Sequence, residues 1–162
     1  MKRTSKPRFT TLTQRQALAV LRRNHVGRLA YRAGPSVEIQ PIGYVAGGRW
    51  IYLRSAEGTK LSALTRNPFV AFEADEVEGP FDWQSVVVHG TVYMLQPDGD
   101  AVQRREYARA LRLMRDIMPA TFTPADPVPE RQHIYGLNVQ RISGRSARSI
   151  RPTRRSRISR TK

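Results

Sequence analysis

Residues 50–64 read WIYLRSAEGTKLSAL and pass through three kinds of local structure in quick succession. Trp50-Ile51-Tyr52-Leu53 is an alternating apolar run and reads as a strand. Arg54-Ser55-Ala56-Glu57-Gly58-Thr59-Lys60 breaks that run with a polar loop. Leu61 and Leu64 follow at a spacing of three, which starts a helix. An arginine, two hydroxyls, a glycine and a lysine are thus collected where a strand hands over to a helix N-terminus. Such a corner offers unpaired backbone N–H groups, the positive end of a helix dipole and two cations, a donor set suited to a phosphate monoester. A solvated connecting loop is the competing reading of this fragment taken alone.

Working outward, the flanks are rich in strands. Val26 to Tyr31 predicts one strand, Gly34-Pro35-Ser36 a tight turn, and Val37 to Ala46 a second strand returning to Gly47-Gly48. Pro41 cannot donate to a sheet ladder and therefore implies an edge, a bulge or a strand end. Gly43 would let another group approach the backbone closely. After the opening loop, a helix over about 58–66 stops before Asn67-Pro68, and Phe69 to Ala74 predicts a short strand. Residues 75–82 are acidic and read as a solvated loop, because adjacent Asp75 and Glu76 are poorly placed for a carboxylate dyad. Trp83 to Gln96 is the strongest β-like run, with Gly90 marking a bulge or bend. Residues 132–143 form the last strand. Helices are expected after Thr13, where Thr13 and Gln16 match a capping box, and after Asp100. A Pro-rich connector, 119–129, follows the second of these. Six strands with short turns and a few helices predict a mainly β protein with helices (α+β), a small antiparallel barrel.

The 162 residues suggest one domain with room for one hydrophobic core. No apolar run of about 18 residues is present, so no membrane span is expected, and nothing at the basic N-terminus reads as a signal peptide. The absence of cysteine removes disulfides and thiolate metal sites. A soluble cytoplasmic protein is the expectation. The net charge of +15 is carried by the ends: residues 145–162 hold eight basic residues and no acid, and residues 1–8 hold four more. Residues 9–144 have sixteen basic against thirteen acidic residues. This argues for a basic extension (1–10), a nearly neutral domain (11–144) and a basic tail (145–162) expected to be disordered. Nucleic acid binding through that tail is the alternative function the charge allows.

His25, His89 and His133 are scattered without acidic neighbours, so no metal site is expected. No G-x-S-x-G, Walker lysine or dinucleotide fingerprint occurs either. With no catalytic residue to nominate, reactive chemistry would have to come from a cofactor.

The order of elements resembles the pyridoxamine 5′-phosphate oxidase-like superfamily of FMN-binding split barrels, and most closely its small branch that includes nitroimidazole-resistance proteins. The resemblance is carried by residues 21–30, by Pro41-Ile42-Gly43-Tyr44, by 51–61 with 67–72, by Trp83 to Gly90, and by 139–145. It implies a six-stranded split β-barrel and a homodimer with the flavin at its interface. It also implies that Arg54, Ser55, Thr59 and Lys60 surround the FMN phosphate, with Arg54 as a planar fork and Lys60 as a point charge, and that Leu61 belongs to the same cofactor site. Pro41, Ile42, Gly43 and Tyr44 would run along the isoalloxazine ring, with Trp83 and Ser85 near the same pocket. A deazaflavin coenzyme is the alternative cofactor. The implied activity is oxidoreduction of a small planar acceptor, or flavin binding and storage without turnover. The C-terminal arginine- and histidine-containing motif of true pyridoxamine phosphate oxidases is replaced by Arg145-Ser146-Ala147-Arg148-Ser149, which argues against vitamin salvage.

Overall fold

The structure, a computed structural model, describes residues 6–149. Residues 150–162, and with them most of the basic tail, lie outside the described residues. Six strands close into a ring: β2 (Val26–Ala33), β3 (Ser36–Gly47), β4 (Trp50–Ser55), β5 (Phe69–Gly79), β6 (Asp82–Leu95) and β7 (His133–Arg148). The pairing runs β7-β4-β3-β2-β5-β6, and β6 then pairs back onto β7 along its length, every pair antiparallel. The expected six-stranded barrel is therefore present. A short additional strand, β1 (Arg8–Thr11), pairs with Arg145–Arg148 at the end of β7. The last strand thus runs past Gly144, where the sequence suggested the tail begins. Three helices complete the chain: α1 (Gln14–Arg23), α2 (Thr59–Arg66) and α3 (Ala101–Ile117). None of the described helices is long and apolar enough to cross a membrane.

The barrel interior is filled from alternating strand positions. Leu29, Tyr44, Ile51, Leu53, Phe72, Val86, Val88 and Leu137 form its centre, and α1 closes it with Ala17, Val20 and Leu21. Each Val, Leu, Ile or Phe side chain among them, removed from water, contributes about 1.5–3 kcal/mol. The α1 start follows its sequence signal: the Gln16 amide donates to Thr13 Oγ1, and the Thr13 amide donates to Gln16 Oε1. On the outside, α3 packs Ala110 and Met114 against Val45, Tyr52 and Ile134. Covering both faces explains why Ile51 to Arg54 are all buried where a half-exposed strand would alternate. Glu106 of α3 is buried here and accepts from the Tyr52 hydroxyl and from Arg105 Nε, at 2.5 and 2.9 Å. Burial opposes its ionisation, but those two donors outweigh it and hold its pKa below the ordinary range.

One further local expectation changes. Residues 75–79 are not a loop, because Asp75, Glu76 and Val77 continue β5 in register with Ser85, Gln84 and Trp83. Their charges are met across the barrel surface, where Arg23 holds Glu76 and Arg28 spans Glu73 and Asp75. Pro41 lies where its handicap is tolerated: β3 pairs with β4 only from Tyr44 onward, so the half that holds Pro41 has β2 alone as a neighbour.

Candidate functional site

The unpaired half of β3 leaves an opening beside the end of β4. A cavity of about 450 Å³ occupies it, bounded by Pro41, Ile42 and Gly43, by Arg54, Ser55 and Ala56, by Lys60, and by Glu130 and Arg131. Six of the residues implied by the resemblance meet here: Pro41, Ile42, Gly43, Arg54, Ser55 and Lys60. A Cβ on Gly43 would find only the His25 carbonyl oxygen, at 3.8 Å, so this stretch of backbone is open to an approaching group.

The loop geometry suits an anion. Gly58 sits at the N-cap of α2 with φ 151° and no side chain capping the helix, a conformation that excludes residues with a Cβ. The first-turn amides of α2 are therefore left for solvent or a ligand. Lys60 is half-buried, and no carboxylate among the described residues pairs with it. Burial lowers its pKa, and the charge of Arg131 lowers it further. The negative charge of an anion entering this cavity would offset both effects. The Ser55 hydroxyl donates to the Ala56 carbonyl oxygen at 3.1 Å and is close enough to turn toward the cavity.

Other implied residues are placed differently. Arg54 is 8% exposed, and its guanidinium is engaged by Asp126 across 2.9 Å. Arg54 Nε also donates to the Arg131 carbonyl oxygen, and its Cζ lies 4.2 Å from the Phe122 ring centroid. In turn, Asp126 accepts from Arg54 and from the amides of Phe122 and Val128, which holds its pKa at about 2. Tyr44 turns its ring into the core against Phe72 and donates its hydroxyl to the Leu21 carbonyl oxygen. Leu61 packs against the same core. Thr59 lies on another face of α2, with Ser62, Ala63 and Arg66, beside a larger open depression of about 690 Å³ reaching Arg32 and Gly34. That depression is the more voluminous, but the β3 backbone and Lys60 are not part of it, so the smaller cavity is the better candidate. Ser85 donates to Glu73 Oε1 at 2.9 Å, and Trp83 lies near Phe9. Neither lines the cavity within a single chain.

Sequence reasoning missed the connector between α3 and β7, residues 118–132. It supplies Arg131 and Glu130 to the cavity and, with α3, walls a second, mainly apolar recess of about 210 Å³. The recess is bounded by Val45, Met114, Ile117, Met118 and Val128, and it shares Gly43, Arg54 and Arg131 with the first cavity. No group of acidic or histidine side chains suited to holding a metal occurs among the described residues.

Solved structures share this fold. An FAD-binding protein from Mesorhizobium loti superposes with a TM-score of 0.71 at 24% identity, over 88% of this chain and 99% of its own. The FAD binding protein from Mycobacterium smegmatis gives 0.61 at 26% identity, over 84% of this chain and 98% of its own. A candidate 5-nitroimidazole antibiotic resistance protein from Bacteroides thetaiotaomicron gives 0.65 at 17% identity, over 87% and 89%. A search of curated proteins finds no match. The pyridoxamine 5′-phosphate oxidase family model matches residues 13–146, nearly the whole described barrel, and the chain belongs to that family.

Proposed function

We propose that the chain is a flavin-dependent oxidoreductase that binds FMN with its phosphate in the Lys60 cavity, and that it works as a homodimer. The observation that carries this reading is Lys60, a half-buried cation without a counter-ion among the described residues, set at an uncapped helix start beside an open β3 backbone. The FAD-binding proteins from Mesorhizobium loti and Mycobacterium smegmatis share the barrel and support a flavin as the ligand. When bound, the flavin supplies the two-electron chemistry. The chain's own residues then bind and orient it. Lys60 and the α2 amides neutralise the phosphate, and the β3 backbone from Pro41 to Gly43 offers its free groups to the ring edge. The neighbouring, mainly apolar recess of about 210 Å³ has room for a small acceptor.

Lys60→Ala should raise the FMN dissociation constant by about tenfold or more while changing that of riboflavin little, because only FMN carries the phosphate. Equal losses for both ligands would end the phosphate reading, and purified protein that neither carries nor takes up flavin would end the flavin reading. For the wild type, FMN affinity should fall as pH rises through the Lys60 pKa, beginning at lower pH than an ordinary lysine would give. Anaerobic reduction followed by reoxidation with nitroaromatic or quinone acceptors separates an enzyme from a storage module.

The homodimer rests on a second observation. Val37, Ile39 and Phe69 are 72%, 67% and 66% exposed on the outer face of β3 and β5. A shallow depression between Ala30, Val37, Phe69 and Ala71 adjoins them. Apolar side chains grouped in this way point to a covered face. A second copy would also be a source for Trp83 and Ser85, which one chain does not bring to its own cavity. Sedimentation should show a dimer for the wild type and a monomer for Phe69→Arg; an unchanged mass for both would remove this face from the interface.

A further inference from the structure

We propose that Arg131 is the second phosphate-binding cation of the cavity and that the Arg54–Asp126 pair is the clasp that positions it. This rests on the flavin-phosphate reading above and deepens it. The motif points to Arg54 as the phosphate fork, but the folded chain has used that fork elsewhere. Arg54 Nη2 donates to Asp126 Oδ2 at 2.9 Å and lies 3.4 Å from the Val128 carbonyl oxygen. Arg54 Nη1 reaches Asp126 Oδ1 at 3.4 Å, and Nε reaches the Arg131 carbonyl oxygen at 3.0 Å. Most of the five donors are spent on one connector. Arg54 therefore acts on the cavity through that connector.

Arg131 is in the opposite condition. Its backbone is tied down by Arg54, while its side chain is 49% exposed and borders the cavity. Its nearest carboxylate, Glu130, stands at 3.9 Å, the outer limit of an ion pair, and also faces the cavity. The other acid close by, Glu57, is turned to His133 at 3.5 Å. Arg131 and Lys60 thus approach one space from two elements, with no carboxylate among the described residues pairing Lys60. Two like charges brought together in this way repel, and a dianion placed between them converts that repulsion into two attractions. A phosphate monoester carries that charge, and its oxygens can accept from both side chains.

The test is a titration of FMN and of riboflavin against the wild type and the variants Arg131→Gln, Arg131→Lys and Asp126→Asn. Arg131→Gln should weaken FMN by about tenfold or more and leave riboflavin within about twofold. Arg131→Lys should recover part of the loss. Asp126→Asn carries the sharper sign: removing a negative charge near an anion site should by charge alone strengthen FMN binding, whereas loss of the clasp weakens it. An unchanged FMN-to-riboflavin ratio in Arg131→Gln would overturn the assignment, and stronger FMN binding by folded Asp126→Asn would overturn the clasp. If Asp126→Asn does not fold, Arg131→Gln and Arg131→Lys decide the assignment. A wild type that binds FMN no better than riboflavin would instead refute the underlying phosphate reading, and this assignment with it.

Discussion

Gly90→Ala should lower stability by about 3 kcal/mol or more, a large share of the roughly 5–15 kcal/mol that holds a domain of this kind together. A Cβ at this position would lie 2.0 Å from the Asn138 carbonyl oxygen and 3.0 Å from its carbonyl carbon. Both are backbone atoms of β7, so no rotamer change relieves the clash. The register between β6 and β7 shifts between His89 and Gly90, which brings the two backbones this close. Because this is the seam that closes the barrel, the strain cannot be passed to a free edge. A urea melt should show an earlier midpoint, and Gly43→Ala is the control, since its nearest contact would be an ordinary 3.8 Å. A Gly90→Ala midpoint equal to that of the wild type would mean that the seam is not as tight as the geometry shows.

The second large effect is expected from acid. Asp126 titrates at about 2 in the folded chain, below its ordinary 3.8, because Arg54 and two amides hold it ionised. The hydrogen bond from Arg23 likewise lowers the pKa of Glu76, and Glu106 is held low by Tyr52 and Arg105. For each of these carboxylates the unfolded chain binds more protons than the folded one over the interval between the two pKa values. Stability therefore rises with pH across that interval. The contribution is fully present above the ordinary carboxylate range and is lost as pH falls toward 2. Thermal midpoints should be flat from neutral pH to about 5 and then drop steeply. Asp126→Asn should be less stable than the wild type at neutral pH, because it leaves a buried guanidinium without its counter-charge, and its acid-dependent slope should be shallower. A wild-type slope in that variant would show that Asp126 is not held ionised by the clasp.

How legible the fold was depended on the range of the interactions. The Thr13 capping box, the Gly34 and Gly48 turns and the irregularity at Gly90 are local, and each formed where its residues stood in the sequence. The acidic run at 75–79 was misleading because carboxylates are poor strand formers. It is a strand because Arg23 and Arg28, far away in the chain, neutralise it. The end of β7 was hidden for a similar reason. Arg145-Ser146-Ala147-Arg148 has no hydrophobic pattern, yet Ala147 is fully buried between β1 and β6. In the candidate site, the strand-to-helix loop and the open β3 backbone could be read from the sequence. The destination of Arg54 could not, since its partner is 72 positions away in a connector whose composition says little. Arg131 went unnoticed in that same connector.

The part played by β7 also bears on how the chain is made. It pairs with β1, β4 and β6, yet among the described strands it is the last to leave the ribosome. Until it arrives, β4 and β6 are the open margins of an unfinished sheet and β1 has nothing to pair with. Such margins invite pairing with other chains. The nascent protein is therefore most exposed to aggregation until β7 emerges, and that one strand converts a curved, sticky sheet into a closed wall.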